Sequence, residues 1–461
     1  MNSIDYIKLA KKGEIDVIKN TKETINEIKK IDKDYNYFLI LDDKLDKKTT
    51  KLKKGKLYGL PISIKDCLCV KDMESKAGSK ILEGYDPVFD STVVKKIRDE
   101  GGLIAGKTSQ DVFGFGSFNT NVGIGYKIPK NPFDKNRATG GSSGGAAGIT
   151  QKLSKPHIAI SESTGGSIAC PASYCGVYGF TPTYGLVSRY GLLDYANSMD
   201  KIGIMAKDIE DVALMLQVIA GHDDKDSTSS NVKIHNYTKQ EKSKFKVAVI
   251  KESIGKGVEK EVIDNLKEKL GDIKYDLVSL PLTFKYSIQT YYLISMSEAS
   301  TNLAKLCGMR YGQHGKLEEE FNEYFSKVRS KYFSKEAKRR IILGTFARMS
   351  GYRDAFYIKA LKVRTKIIEE YKKLFSKYDL LVTPTMPNIA PKFSEINKMT
   401  PLQNYMMDIM TAGPNLAGFP HLSIPSGFSN EMPTGLMIVA NHFNEKNMID
   451  FAREIKWNML D

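Results

Sequence analysis

The sequence predicts an α/β protein, and three observations carry this prediction. Short apolar segments typical of buried strands alternate with longer segments of helical periodicity over all 461 residues. Two glycine-rich runs that contain serine, residues 138–148 and 163–169, enclose one such strand at residues 157–161. The chain shows neither an internal repeat nor a low-complexity linker, which favours one large domain over several small ones.

The composition is that of a soluble globular protein. Hydrophobic residues make up 41% and charged residues 27% of the chain. No uninterrupted apolar run reaches the roughly 18 residues of a membrane span, and the N-terminus resembles neither a signal nor a transit peptide, so we expect a cytoplasmic protein. Five cysteines, an odd number without zinc-site spacing, indicate packing residues and not disulfides or metal ligands.

The net charge of +15 leaves two interpretations open. An excess of basic residues favours an anionic partner, for which nucleic acid is the usual candidate. A lysine-rich, solvated surface without any such partner explains the same number equally well.

The first half of the chain is expected to begin with helix and to continue with strands. Apolar residues recur at near-helical spacing over residues 3–30, which predicts a helical region. Residues 57–66 predict a turn and a short buried strand that ends at Lys65. Capping residues at 90–92 and a later glycine pair bound a predicted helix, and residues 103–108 predict the next strand.

The second half continues the alternation of strands and helices. Residues 207–221 predict an amphipathic helix, and residues 222–230 predict a polar surface loop. The remaining predicted strands are 246–250 and 380–384, and the remaining predicted helices are about 259–271, 287–309 and 335–376.

Serines held between glycines at two places point to nucleophilic catalysis. Glycine permits close backbone approach and unusual angles, so a serine in such a run can lie exposed beside bare backbone N–H groups. That is the arrangement of a nucleophile and its oxyanion hole. The alternative, a flexible glycine–serine linker, fits poorly, because the runs are short and the segment between them predicts a buried strand.

The nucleophile needs a base, and the sequence offers two solutions. Residues 165–169 come close to the G-x-S-x-G elbow of α/β-hydrolases, for which Asp408 and His421 would have to complete a triad. None of the six histidines lies in a motif-like setting, however. The other solution is a lysine base, which must be desolvated or lie near positive charge to be neutral near pH 7. Lys65, between apolar residues, suits this role, and a second serine can relay the proton.

Three motifs together resemble those of the amidase signature family: residues 59–66, 140–145 and 164–168. The three-part pattern is specific, unlike any single glycine run, and the resemblance extends from about residue 55 to the C-terminus. It implies the amidase signature fold, which is α/β, with a large mixed central β-sheet covered by helices on both faces.

The resemblance also implies a Ser–cis-Ser–Lys triad. Carried onto this chain, it makes Ser167 the nucleophile, Ser142 the cis-serine relay and Lys65 the base. The backbone N–H groups from Thr164 through Gly165 and Gly166 would form the oxyanion hole.

Within that family, the chain is most similar to the glutaminase subunits of tRNA-dependent amidotransferases. The resemblance implies a glutamine site at Tyr291, Arg340 and Asp408, in which arginine can hold the α-carboxylate and aspartate the α-ammonium. It implies that ammonia passes to a B subunit, which converts Glu-tRNA(Gln) to Gln-tRNA(Gln) with ATP and Mg²⁺. No cofactor or metal is expected in this chain itself, and the short N-terminal region leaves open the need for a small C subunit.

The chain departs from the family pattern at three points. Ser163, or Glu162 one place earlier, stands where the family usually has aspartate, Ala169 stands where it usually has arginine, and one extra residue separates the two serine runs. Two other functions therefore stay open: a free-standing amidase for another amide, and a non-catalytic scaffold that holds the B subunit. Arg340 and Asp408 also fit structural ion pairs.

We predict two regions in the chain. Residues 1–54 form an N-terminal helical region packed on the enzyme core, and residues 55–461 form the amidase signature domain.

Overall fold

The computed structural model of the protein describes residues 1–242, 244–317 and 320–455. The described residues contain one β-sheet of eleven strands. In chain order the strands are β1 (Phe38–Leu41), β2 (Pro61–Lys65), β3 (Leu103–Thr108), β4 (Ile158–Ser163), β5 (Tyr178–Thr181), β6 (Lys201–Ala206), β7 (Val247–Ile250), β8 (Tyr275–Val278), β9 (Leu380–Pro384), β10 (His421–Ser429) and β11 (Met432–Ala440).

Helices connect and cover these strands. In chain order they are α1 (Ser3–Lys12), α2 (Val17–Tyr35), α3 (Thr92–Asp99), α4 (Gly144–Lys152), α5 (Ala169–Cys175), α6 (Ile209–Ile219), α7 (Lys260–Leu270), α8 (Pro281–Asn302), α9 (Phe321–Tyr332), α10 (Lys335–Arg348), α11 (Lys359–Phe375), α12 (Phe393–Ile396), α13 (Pro401–Met406), α14 (Ala412–Leu416) and α15 (Glu445–Glu454).

The sheet is mixed, which confirms the predicted fold class. Its order is β1-β3-β2-β4-β6-β5-β10-β11-β9-β7-β8. The runs β3-β2-β4 and β9-β7-β8 are parallel, and the pairs between them are antiparallel. Parallel neighbours end at the same edge of a sheet, so the carboxyl ends of β2 and β4 lie side by side.

Strand β4 shows that both faces of the sheet are covered. All six of its residues are buried, and successive side chains point to opposite faces. Ile158 and Ile160 lie in the main hydrophobic core. Ala159 lies on the other face, in a smaller cluster with Ala146 of α4 and Ala172 of α5. The segment between the two serine runs is therefore a core strand and not a tether.

Most predicted elements are present, and four differ in detail. The helix predicted at about 287–309 begins earlier, at Pro281, and ends at Asn302. The helical region predicted at 3–30 is two helices, because Gly13 takes a left-handed conformation with a φ of 81° and ends α1. The helix predicted at 335–376 is likewise divided, with Gly351 at a φ of 86° between α10 and a π-helical turn at Asp354–Ile358. Helix α6 is buried on almost every side and is not amphipathic.

The N-terminal helices pack on the rest of the fold. The backbone N–H and the hydroxyl of Ser3 donate to Asp211 of α6 at 3.0 and 2.8 Å, and both residues are buried.

The division of the chain into two regions at residue 54 stays a prediction, and residues 456–461 of the second region lie outside the described residues. Among the described helices, none has the length and apolarity that crossing a membrane requires.

Candidate active site

The candidate site begins at the shared edge of β2 and β4. Ile64 of β2 is in register with Ile160 of β4, so Lys65 and Glu162 follow at neighbouring strand ends. Lys65 has 0% and Glu162 3% of its surface exposed. The burial of Lys65, which the apolar alternation around it predicted, is confirmed.

Three oxygen atoms surround the Lys65 amine. It donates to Ser142 Oγ at 2.7 Å, to the Glu162 carbonyl at 2.9 Å and to Glu162 Oε2 at 2.9 Å. A lysine base requires burial or nearby positive charge. The burial is present, and the charged side chain in contact with the amine is the Glu162 carboxylate.

The two serine runs pack directly against each other. Gly140 has a φ of 78°, and a Cβ on it would lie 2.8 Å from the Cα of Pro171 in α5. The peptide bond between Gly141 and Ser142 is cis. Ser143 precedes the first residue of α4, and its hydroxyl donates to the Glu162 carbonyl at 3.3 Å. Of the two adjacent serines, it is therefore Ser142 that contacts the lysine.

Ser167 lies in the turn that joins β4 to α5, and 6% of its surface is exposed. The Ser163 hydroxyl donates to the Gly165 carbonyl at 2.9 Å and so braces this turn. Within the described residues, the backbone N–H groups of Gly165 and Gly166 donate to no other group. The predicted oxyanion-hole donors thus remain available to a substrate.

Two of the predicted substrate residues lie against the same turn. A Cβ on Gly165 would lie 2.9 Å from the hydroxyl of Tyr291 in α8. A Cβ on Gly166 would lie 3.2 Å from Oδ1 of Asp408. A larger residue at either glycine would have to displace one of these side chains. Tyr291 and Asp408 therefore pack directly against the turn.

Arg340 of α10 lines a cavity together with Asp111, Ser117 and Tyr292. It is 3% exposed, so it does not form a surface ion pair. Its Nε donates to Glu336 at 2.9 Å, and its guanidinium stacks 4.9 Å from the centre of the Phe115 ring. A second guanidinium nitrogen donates to the hydroxyl of Tyr195.

Asp408 is joined to this cavity by two hydroxyl groups. Tyr292 and Ser117 donate to its Oδ2 at 2.7 and 3.1 Å. Burial raises the pKa of Asp408, and the hydrogen bonds from Tyr292 and Ser117 and the charge of Arg340 oppose that rise. Arg340 and Asp408, the predicted partners of the α-carboxylate and the α-ammonium, are therefore both buried, and Asp408 lies against the serine turn.

The hydrolase-elbow alternative is not formed. His421 contacts the carbonyl of Phe419 at 3.3 Å, whereas Asp408 pairs with Tyr292 and Ser117. His157 contacts Ser63 at 2.7 Å.

The cysteines form no disulfide bonds within the described residues. Within the same residues, no group of His, Cys, Asp or Glu has the arrangement of a metal site.

Sequence reasoning missed four polar residues of the site: Glu162, Asp200, Tyr195 and Tyr292. Glu162 stood out only as a neighbour of the Ser163 departure, and Tyr292 only as the residue after Tyr291. Their roles depend on contacts between elements far apart in the chain, such as the contact of Tyr195 with Arg340. The structure also shows that Ala169, the other departure, is simply a buried core residue.

Comparison with known proteins gives consistent results. A family model described as Amidase matches residues 18–449. The chain is 42% identical over 465 residues to the A subunit of glutamyl-tRNA(Gln) amidotransferase from Geobacillus sp. (strain WCH70), covering 96% of this chain and 94% of that protein. It is 43% identical over 406 residues to the corresponding protein of Archaeoglobus fulgidus, covering 87% and 86%. The crystal structure of the Thermotoga maritima counterpart matches with a TM-score of 0.82 at 35% identity, covering 99% and 94%.

Proposed function

The chain belongs to the amidase family, and on that premise we propose that it is the glutamine-hydrolysing subunit of a glutamyl-tRNA(Gln) amidotransferase. One observation carries the proposal. The buried Lys65 amine lies 2.7 Å from Ser142 Oγ, next to the turn that presents Ser167. The relatives named above are subunits of such an enzyme, and they align with nearly the whole chain.

In the first half of the reaction, Ser167 Oγ attacks the side-chain amide carbon of glutamine. Its proton passes to Ser142 Oγ, whose own proton passes to neutral Lys65. The new C–O bond forms as the carbonyl oxygen becomes an oxyanion, and the N–H groups of the Thr164–Gly165–Gly166 turn stabilise that charge.

Collapse of the oxyanion breaks the C–N bond. Lys65 returns a proton through Ser142 to the leaving nitrogen, which departs as ammonia and leaves a glutamyl ester on Ser167. Water then attacks the ester and gives its proton to the same relay. Glutamate leaves, Ser167 Oγ–H is restored, and no net proton is gained or lost by the chain.

Two buried side chains suit the two charges of a free amino acid. Arg340 lines the cavity and can bind the α-carboxylate, and Asp408, which accepts from the cavity residues Ser117 and Tyr292, can bind the α-ammonium. The Tyr291 hydroxyl lies beside Gly165, where the reacting amide would be held. Each charge-assisted contact contributes about 1.5–3 kcal/mol.

The ammonia is proposed to reach a partner B subunit, where ATP and Mg²⁺ support conversion of Glu-tRNA(Gln) to Gln-tRNA(Gln). The tRNA is expected to be bound through the complex, and the basic balance of this chain suits a position near it. Co-purification from the native host would show whether a small C subunit is also required.

The test is ammonia release from glutamine and from butyramide, a primary amide that lacks both α-substituents, with and without the partner subunit. We expect a large preference for glutamine in kcat/KM. The reverse preference would identify a free-standing amidase of the same fold. Failure to hydrolyse either amide, even with the partner present, would identify a scaffold.

A further inference from the structure

Glu162 is a buried carboxylate that the proton relay described above does not use. It contacts the Lys65 amine through Oε2 at 2.9 Å, and the pair has almost no solvent exposure. Counting Ser142 Oγ and the Glu162 carbonyl, Lys65 has three oxygen partners, one for each proton of an ammonium group. In the neutral amine, two protons remain on Glu162 oxygens, and the lone pair faces Ser142.

The other oxygen of Glu162 is held from the opposite side. Thr164 Oγ1 lies 2.7 Å from Glu162 Oε1 and 2.8 Å from Oδ1 of Asp200. A hydroxyl group has a single proton to donate. Both contacts can be hydrogen bonds only when one of the two carboxyl groups carries a proton and donates it to Thr164 Oγ1.

That proton belongs on Asp200. Oε2 of Glu162 accepts from the Lys65 amine at 2.9 Å, in a salt bridge. Asp200 is fully buried, and burial first and the negative charge of Glu162 second raise its pKa well above the ordinary range. The hydrogen bonds therefore run in one direction, from Asp200 to Thr164, and from Thr164 to the Glu162 carboxylate.

We propose that Glu162 is a positioning residue of the serine relay, which aims the Lys65 amine at Ser142 and whose charge sets the pH above which Lys65 acts as a base. The inference rests on the proposed function of Lys65, Ser142 and Ser167. Thr164 and the neutral Asp200 hold the carboxylate in place.

The sign of the pH effect follows from the charges. Glu162→Gln removes the negative charge that lies 2.9 Å from the Lys65 amine. Because a nearby negative charge favours the protonated form of an amine, the acidic limb of the pH–rate profile is expected to move to lower pH by about 1–3 units in this variant.

Other titratable groups face this pair and stay unchanged in the test. Burial raises the pKa of the Cys67 thiol, which keeps it neutral, and raises the pKa of Asp111 to about 6. Lys107 lies 3.4 Å from Asp66, so the opposite charges of this buried pair offset each other. Because all of them are present in wild type and variant alike, the difference between the two profiles reports on residue 162.

The experiment compares wild type, Glu162→Gln and the control Asp211→Asn. Asp211 is another buried carboxylic acid, and it contacts Ser3 instead of the serine relay. Two rates are followed against pH: glutamine hydrolysis, and inactivation by a sulfonyl fluoride that reacts with Ser167. Lys65→Ala identifies the limb that belongs to the lysine. We expect the acidic limb of Glu162→Gln to lie about 1–3 pH units below that of wild type for both rates. The limb of Asp211→Asn should stay at the wild-type pH.

A Glu162→Gln limb that coincides with that of wild type overturns the proposal. Should this variant fail to fold, Glu162→Asp decides: the shorter carboxylate keeps the limb near its wild-type pH but misplaces the amine and lowers kcat. A Glu162→Asp limb displaced to lower pH overturns the proposal. The proposed function fails separately, if Ser167 of the wild type is not labelled or if its labelling has no limb that depends on Lys65.

Discussion

At the scale of single residues, the chemistry of the site depends on which of two adjacent serines carries the proton. Ser142 Oγ lies 2.7 Å from the Lys65 amine, whereas Ser143 Oγ is turned to the Glu162 carbonyl at 3.3 Å. The two side chains are equally buried and differ in little except direction. They therefore provide a matched pair of variants.

Ser142→Ala is expected to lower kcat/KM for glutamine by about 10²–10⁴-fold, because it breaks the path between Ser167 and Lys65. Ser143→Ala is expected to cost less than about tenfold, since it removes one hydrogen bond of about 1 kcal/mol outside the path. Steady-state kinetics of both purified variants make the comparison. Equal losses would mean that the relay has been assigned to the wrong serine or that neither relays.

Arg340 is predicted to recognise the α-carboxylate of glutamine. Arg340→Ala should weaken kcat/KM for glutamine by roughly 10- to 100-fold, because one charge-assisted contact of about 1.5–3 kcal/mol is lost. Hydrolysis of butyramide should be nearly unchanged. The control is Lys335→Ala, at an exposed position in the first turn of the same helix. Equal losses on the two amides would show that Arg340 supports the fold through Glu336 and Tyr195.

Sequence reasoning points to the proposed reactive residues of this site better than to their supporting ones. Lys65, Ser142 and Ser167 are proposed from the family resemblance, together with the glycine spacing and the apolar strand around them. The contact between Lys65 and Glu162 depends on the parallel register of β2 and β4, and the contact of Thr164 with Asp200 depends on the start of β6. Nothing in the local sequence reports such register.

At the scale of elements, the first glycine-rich run, residues 138–148, ends in a buried helix start. Helix α4 begins at Gly144, and seven of its residues, including Gly148, are buried. A Cβ on Gly148 would overlap the ring of Tyr37, which is itself fully buried and donates to the Lys130 carbonyl at 2.8 Å. The glycine therefore sets how closely α4 approaches the segment before β1.

Gly148→Ala is expected to destabilise the protein by about 1–3 kcal/mol, the usual cost of forcing extra volume into a packed interior. Gly255→Ala is the control, because Gly255 is exposed and a Cβ there meets its nearest atom at 3.7 Å. Urea unfolding of both variants provides the measurement. An unfolding free energy for Gly148→Ala equal to that of the control would contradict the packing described here.

Element boundaries show where sequence patterns lose their power. Apolar periodicity predicted a helical region over residues 3–30 but not the break between α1 and α2, because Gly13 interrupts the backbone without interrupting the pattern. Helix α6 looked amphipathic because it carries acidic residues, yet Asp211 is buried against Ser3. In both cases the deciding fact is a contact or a left-handed angle that periodicity does not record.

At the scale of the whole molecule, buried ionisable groups make stability depend on pH. His157 lies between β2 and α4, where it contacts Ser63 at 2.7 Å and Thr150 at 3.4 Å. Burial first, and the charge of Lys207 second, lower its pKa to about 3. An unfolded histidine titrates near pH 6.5, so between about pH 6.5 and 3 the unfolded chain binds the extra proton.

The wild type should therefore lose about 2 kcal/mol of unfolding free energy through His157 between pH 7 and pH 5. His157→Gln should lack that part of the loss, whereas His222→Gln, in the exposed loop after α6, should retain it. Urea titrations at the two pH values test the point. The same pH dependence in all three proteins would contradict a neutral, buried His157.

The overall architecture was predictable as a class but not as a topology. Strand and helix segments alternate clearly enough along the chain to indicate an α/β protein. The order of the sheet, in which β4 lies between β2 and β6 and thereby joins Lys65 to Glu162 and Asp200, follows from long-range packing. That packing is what turns three separate motifs into one site.

Ser167 is proposed to release the amide nitrogen of glutamine for use on a tRNA. An isotope experiment supplies [amide-¹⁵N]glutamine to the complex of this chain with its partner and follows ¹⁵N into Gln-tRNA(Gln), for wild type and Ser167→Ala. We predict transfer with wild type, loss of transfer with Ser167→Ala, and restored amidation of tRNA by that variant when ammonium is supplied. Undiminished ¹⁵N transfer by the Ser167→Ala complex would contradict the proposed role of Ser167.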